Sequence, residues 1–229
     1  IRTVFYRVAN VIIVLLLRVI TRYEVIGRGN IPNEGPFVVV ANHTHLIDPP
    51  ILGASLPRKV IFMAKVEAFR APIVGLLVRA YEAFPVRRGQ PDRNALRMSH
   101  QVLESGLGLA MFPEGTRSRD GALRQAFPGA ALVAARSRVP VIPVSIDGTD
   151  RIFPTILRAR RPHLRIVIGA ALPYQESNGR TDLKQMTDQM MRAIAALLPP
   201  SRRGVYCDEA SSGTIIERQS GEETTTTPR

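Results

Sequence analysis

The longest purely apolar run in the chain is VIIVLLL, from Val11 to Leu17, and it sits inside a broader hydrophobic segment at residues 4–20. That run is much shorter than the roughly 20 residues a membrane-spanning helix needs. It also lacks the small-residue cleavage site of a secretory signal, continuing instead into Arg18, Val19, Ile20, Thr21 and Arg22. Arg2, Arg7, Arg18 and Arg22 flank or interrupt it. The pattern predicts a helix lying in a membrane interface, with arginines reaching toward headgroups. A buried N-terminal helix is the alternative, and a single span stays open if residues precede Ile1.

Beyond residue 24, short β-rich runs alternate with helix-like stretches. Continuous apolar runs predict strands at 37–41, 60–64, 81–86, 107–112, 141–146 and 164–168. Helices are predicted at 49–56, 72–79, 92–104, 129–138 and 182–198, with Asp48 and Asp92 placed as caps. Pro140 and Pro143 confine the 141–146 strand to an edge or an irregular end of the sheet. Alternating strands and helices give an α/β fold, with a largely parallel central sheet flanked by helices and preceded by the N-terminal membrane-associating helix. In such sheets ligands gather at the carboxyl ends of strands. The organisation is therefore an interfacial helix at 1–23, an α/β domain at 24–200, and a tail at 201–229. The tail, with its four-threonine run at 224–227, has the composition of a disordered segment.

Composition narrows the partners. The 229 residues are 45% hydrophobic, which suits one substantial core, and carry a net charge of +12. That charge points to nucleic acid, an anionic membrane or a phosphorylated substrate. No tryptophan, 6% aromatics and no basic recognition helix argue against nucleic acid. Cys207 is the only cysteine, excluding an internal disulfide or a multi-cysteine metal site. Neither a phosphate-binding G-x-x-x-x-G-K-[ST] loop nor G-x-G-x-x-G occurs, which disfavours a nucleotide-dependent enzyme.

Four segments carry candidate chemistry. In Asn42-His43-Thr44-His45-Leu46-Ile47-Asp48, just past the 37–41 strand, His43 suits a general base and Asp48 can orient its imidazole. No G-x-S-x-G elbow occurs, so the base would activate a hydroxyl of the substrate. Asp48 before Pro49-Pro50 reads equally as an ordinary helix cap. His43 and His45 lack a clustered third metal ligand. The second segment, Phe112-Pro113-Glu114-Gly115-Thr116-Arg117-Ser118, offers backbone N–H groups, hydroxyls and a guanidinium that can grip a phosphate. A solvated turn is the alternative there. Arg87 and Arg88, after 84–86, complete a cationic pocket or form an exposed rim. The fourth segment, 139–144, is core structure.

Together these segments resemble the glycerolipid acyltransferase family, specifically the 1-acyl-glycerol-3-phosphate acyltransferases. The four blocks occur in the family's order over about residues 25–175, and FPEGTRS is the most specific. The resemblance implies His43 as base and Asp48 as its partner. It implies Arg88, Glu114, Gly115, Thr116 and Arg117 as holders of the acceptor's phosphate, with Lys65 adjacent. The implied donor is acyl-CoA or acyl carrier protein, the acceptor a lysophospholipid, and the place the cytoplasmic face of the cell membrane, with no metal or bound cofactor. One departure is Phe84-Pro85-Val86, where the family carries a glycine followed by an Ile-Phe-type pair. Other acceptors implied are other lysophospholipids, a lyso-ornithine lipid or glycerol-3-phosphate, and a donor-independent transacylase is a further alternative.

Overall fold

The computed structural model describes residues 2–87, 92–172 and 182–207. Seven strands form one sheet: β1 (Arg22–Ile26), β2 (Phe37–Ala41), β3 (Val60–Lys65), β4 (Phe84–Val86), β5 (Gly108–Met111), β6 (Val141–Asp147) and β7 (His163–Ile168). Their spatial order is β1-β7-β6-β2-β5-β3-β4, and every pair is parallel except β6 with β7. The helices are α1 (Arg2–Ile20), α2 (Asp48–Ser55), α3 (Pro72–Ala80), α4 (Arg93–Glu104), α5 (Gly129–Ser137), α6 (Ile152–Ile156) and α7 (Leu183–Leu197).

The centre follows from residue type. All five residues of β2 are buried, as a parallel strand covered on both faces requires. On one face of the sheet Phe37, Val39 and Ala110 pack with Tyr6 and Leu17 of α1, Ile51 and Leu52 of α2, and Ile152 of α6. On the other, Val38, Val40 and Leu109 pack with α4, α5 and α7. Asp92 caps α4 as predicted, its carboxylate accepting from the Ala95 N–H at 3.0 Å.

Three expectations are corrected. The first concerns β6, which lies inside the sheet between β7 and β2 rather than at an edge. Its proline is tolerated because the antiparallel ladder to β7 ends at Val144 opposite Ile168. Pro143, one step beyond, accepts from the Gly169 N–H at 2.8 Å and is asked for no donor in return. The second concerns Arg22–Ile26, which forms a strand where the pattern predicts none: only Tyr23 and Val25 turn inward, and the alternate charged residues are exposed. The sheet thus starts inside the segment assigned to the N-terminal helix. The third is Asp48, which gives α2 no side-chain cap. The expected tail falls largely outside the described residues.

α1 itself is two-faced. Tyr6 and Leu17 are buried and Ile13 and Ile20 pack beside them, whereas Val8, Val11, Ile12, Leu15, Leu16 and Val19 form an exposed apolar stripe. Among the described residues no helix is long and apolar enough to cross a membrane.

The loop leaving β2 is pinned by Asn42. Its buried side-chain amide donates to the Ile146 carbonyl and accepts from the Ile146 N–H, both at 2.8 Å, so a side chain continues the ladder where the backbone turns away. Replacing Asn42 with Ala orphans two buried backbone groups. Urea unfolding should show a loss of about 2–4 kcal/mol.

Candidate active site

β2, β3, β5 and β6 all point their carboxyl ends toward one rim, and the loops leaving them build the site. After β2 the chain turns through His43 into α2. Asp48 is wholly buried, and its Oδ2 lies 2.8 Å from His43 Nδ1. The same oxygen accepts the backbone N–H groups of Thr44 and His45, each at 2.7 Å. The expected helix cap is therefore not what Asp48 does. α2 carries no side-chain cap, and the carboxylate turns back into the loop to collect three donors from residues 43–45. Pro49 and Pro50 start the helix without needing N–H partners.

His43 is fixed on every side. Its N–H donates to Glu114 Oε1 at 3.0 Å, and its carbonyl accepts from the Ser118 N–H at 2.7 Å. Its ring stacks on Phe112, with centroids 4.3 Å apart and planes 24° from parallel. With Nδ1 directed at Asp48, Nε2 is the nitrogen left to act. An apolar cavity of about 280 Å³ adjoins the ring, walled by Ile47, Phe62, Val74, Val78 and Tyr81 among others, with Lys65 and Arg117 also contributing. Tyr81 is held by a 2.7 Å hydrogen bond to Asn10 of α1 and by edge contacts with Tyr6 and Phe62.

The FPEGTRS loop contributes unevenly. Thr116 and Arg117 are exposed, and Arg117 lines the cavity. Gly115 sits at φ 65°, and a Cβ there would lie 3.0 Å from the Phe127 ring, so glycine suits the position on both counts. Glu114 does not fit the phosphate-holding role expected of it. It is only 2% exposed, and its two oxygens accept the backbone N–H groups of His43 and Arg124, each at 3.0 Å. A carboxylate committed in this way is a strut beneath the loop rather than a ligand for an anion. Lys65, at the end of β3, pairs with Glu67 at 3.2 Å. Arg88 lies outside the described residues, but its neighbour Arg87 lines a second cavity of about 210 Å³ with Gly115, Phe127 and Gly129. Met63 and Phe112 contribute to both cavities.

Two supports had no signal in the motifs. Thr149, fully buried after β6, meets Thr44 through hydroxyls 2.9 Å apart. Arg202, far along the chain, donates to Asp150 at 2.7 Å while its backbone carbonyl takes the Leu123 N–H at 2.9 Å. It thereby joins the loop after β6 to the loop after FPEGTRS.

Burial raises the Glu114 pKa to about 7 from its ordinary 4.5, against the two N–H donors and Arg124, which pull it down. The folded protein then keeps a proton that the unfolded chain releases. Stability from this group is full below pH 4.5 and is lost as pH rises toward 7, by roughly 1.4 kcal/mol per unit at most. Glu114→Gln should flatten that part of the stability–pH curve relative to wild type, as measured by urea unfolding at a series of pH values.

The Acyltransferase family model matches residues 22–147. A chloroplastic 1-acyl-sn-glycerol-3-phosphate acyltransferase of Arabidopsis thaliana is 36% identical over 132 residues, covering 56% of this chain and 37% of that protein. The chain thus spans little more than a third of that relative's length. A lyso-ornithine lipid O-acyltransferase of Pseudomonas aeruginosa is 35% identical over 190 residues, 74% of this chain and 71% of that one. The crystal structure of a 1-acyl-sn-glycerophosphate acyltransferase from Thermotoga maritima superposes with a TM-score of 0.66 at 26% identity, covering 82% of this chain and 77% of the other. The matched span of residues 22–147 contains β1 through β6, the His43–Asp48 pair and the FPEGTRS loop, and on that ground the chain belongs to the acyltransferase family.

Proposed function

We propose that this protein moves a fatty acyl group from a thioester, on coenzyme A or acyl carrier protein, to the free hydroxyl of 1-acyl-glycerol-3-phosphate, giving phosphatidic acid. The observation that carries the reading is the His43–Asp48 pair at the edge of an apolar cavity, with cationic side chains beside it. The hydrogen bond at 2.8 Å keeps Nδ1 as donor and presents Nε2 as the base. Nε2 takes the proton of the acceptor hydroxyl while its oxygen attacks the thioester carbonyl carbon. The C–O bond forms, the tetrahedral intermediate collapses with loss of the C–S bond, and the departing thiolate recovers the proton from the imidazolium. Asp48 stabilises that imidazolium without itself taking the proton.

The remaining groups divide the substrates between them. The apolar cavity walled by Phe62, Val74, Val78 and Tyr81 suits an acyl chain. Arg87, Arg88 and Arg117, with Gly115 and Thr116, hold the acceptor's phosphate in this reading, guanidinium groups matching its oxygens in bidentate fashion. The exposed stripe of α1 lies in the acyl boundary of one membrane leaflet, at the cytoplasmic face of the cell membrane. That arrangement delivers a lysolipid sideways to the base.

The Pseudomonas aeruginosa relative favours a second acceptor, a lyso-ornithine lipid. Turnover of purified protein on paired acceptors separates the two, and omission of the thioester donor separates both from a transacylase. On the proper acceptor, His43→Ala should lower kcat by about 10²–10⁴-fold while lysolipid binding persists. Near-normal turnover in that variant would remove the base from the mechanism. Tyr81→Ala, which opens the cavity wall, should shift preference toward longer acyl donors in a competition assay, and an unchanged profile would place the chain elsewhere.

A further inference from the structure

α6 has no obvious reason to look as it does. Only Ile152 turns into the core, while Phe153 is 55% exposed, Ile156 is also exposed and Leu157 is 88% exposed. Ala159 then adopts φ 53°, turning the chain through Arg158, Arg160 and Arg161. No acidic residue occurs from Ile152 to Leu172, and the acids just before α6, Asp147 and Asp150, are already paired with Arg151 and Arg202. Large apolar side chains followed at once by Arg158 and Arg160, which have no ion-pair partner among the described residues, form an element that is stable where hydrocarbon meets anionic headgroups.

Its position gives that chemistry a purpose. Arg161 donates to the carbonyls of Arg18 and Thr21, the latter at 2.7 Å, which fastens the arginine turn to the end of α1. Ile152 shares a core cluster with Tyr6 and Leu17 of α1, so both helices lie on the same side of the sheet. The Phe153 ring is 5.6 Å from that of His45, in the loop that carries the base. Leu46, next in that loop, is exposed and lines the apolar cavity.

We propose that α6 and the arginine turn after it are a second bilayer contact, with Phe153, Ile156 and Leu157 among the acyl chains of an anionic leaflet and Arg158 and Arg160 at its phosphates. This rests on the reading of α1 as a membrane-seated helix and deepens it. One helix fixes the protein to the surface but leaves it free to roll about that helix. A second contact beside His45 and Leu46 removes the roll and holds the cavity mouth toward the lipid.

The chain has no tryptophan, so single reporters can be introduced into the full chain. Leu157→Trp and, as a control on the α1 stripe, Leu15→Trp are mixed with vesicles of brominated phosphatidylglycerol or brominated phosphatidylcholine. The proposal expects both reporters to be quenched by the anionic vesicles, and Arg158→Gln/Arg160→Gln to weaken binding about thirtyfold. Quenching at Leu15→Trp without quenching at Leu157→Trp overturns the second contact and leaves the α1 reading standing. Absence of quenching at both sinks the two together. A Leu157→Trp emission shift that grows with protein concentration in the absence of lipid means another copy covers α6, which also overturns the proposal. Because no substrate is present, none of these outcomes depends on acyl transfer.

Discussion

One imidazole, held in place from four directions, is what the rest of the molecule is arranged around. Asp48 takes its Nδ1, Phe112 supports its face, and Glu114 and Ser118 take the backbone groups of His43 itself. Each restraint comes from a different part of the rim: the start of α2, the end of β5, and two points in the loop beyond. The His43 ring is therefore as rigid as the sheet. The general-base role proposed for it depends on this, because a misplaced nitrogen cannot follow an incoming hydroxyl without losing the geometry of attack.

In the proposed reaction the loops that fix His43 also define where the substrates go. Phe112 supports the His43 ring and lines both cavities. The apolar cavity is walled by residues of α2 and α3, and the smaller one reaches Ala130 of α5 with Arg87 on its rim. In the proposed reaction a greasy chain and an anionic headgroup approach one nitrogen from two chemically different sides. Glu114 stitches the histidine loop to the arginine-bearing loop.

Much of this was visible in the sequence, and the exceptions have physical reasons. Strands such as β2 announce themselves because a strand covered on both faces must be apolar throughout. β1 did not, since an edge strand needs only Tyr23 and Val25 inward and reads like a loop. The position of β6 depended on where Pro143 falls relative to the end of the β7 ladder, a matter of register rather than composition. In the site, residue types pointed to His43 and Asp48, but not to whether Asp48 would face its helix or its loop. Glu114 shows the opposite failing: its place in a phosphate-gripping motif suggests a ligand, whereas its burial and two backbone hydrogen bonds make it a strut. Thr149 and Arg202 act through contacts more than 50 residues away in sequence, which no local pattern encodes.

The central claim, that Asp48 commits Nδ1 and frees Nε2, can be read without any substrate. A long-range nitrogen–proton correlation spectrum of histidine-labelled protein reports the tautomer of each of the four imidazoles. The account predicts that neutral His43 carries its proton on Nδ1, and that Asp48→Asn abolishes that preference. A His43 ring protonated on Nε2 in the wild-type protein would contradict it.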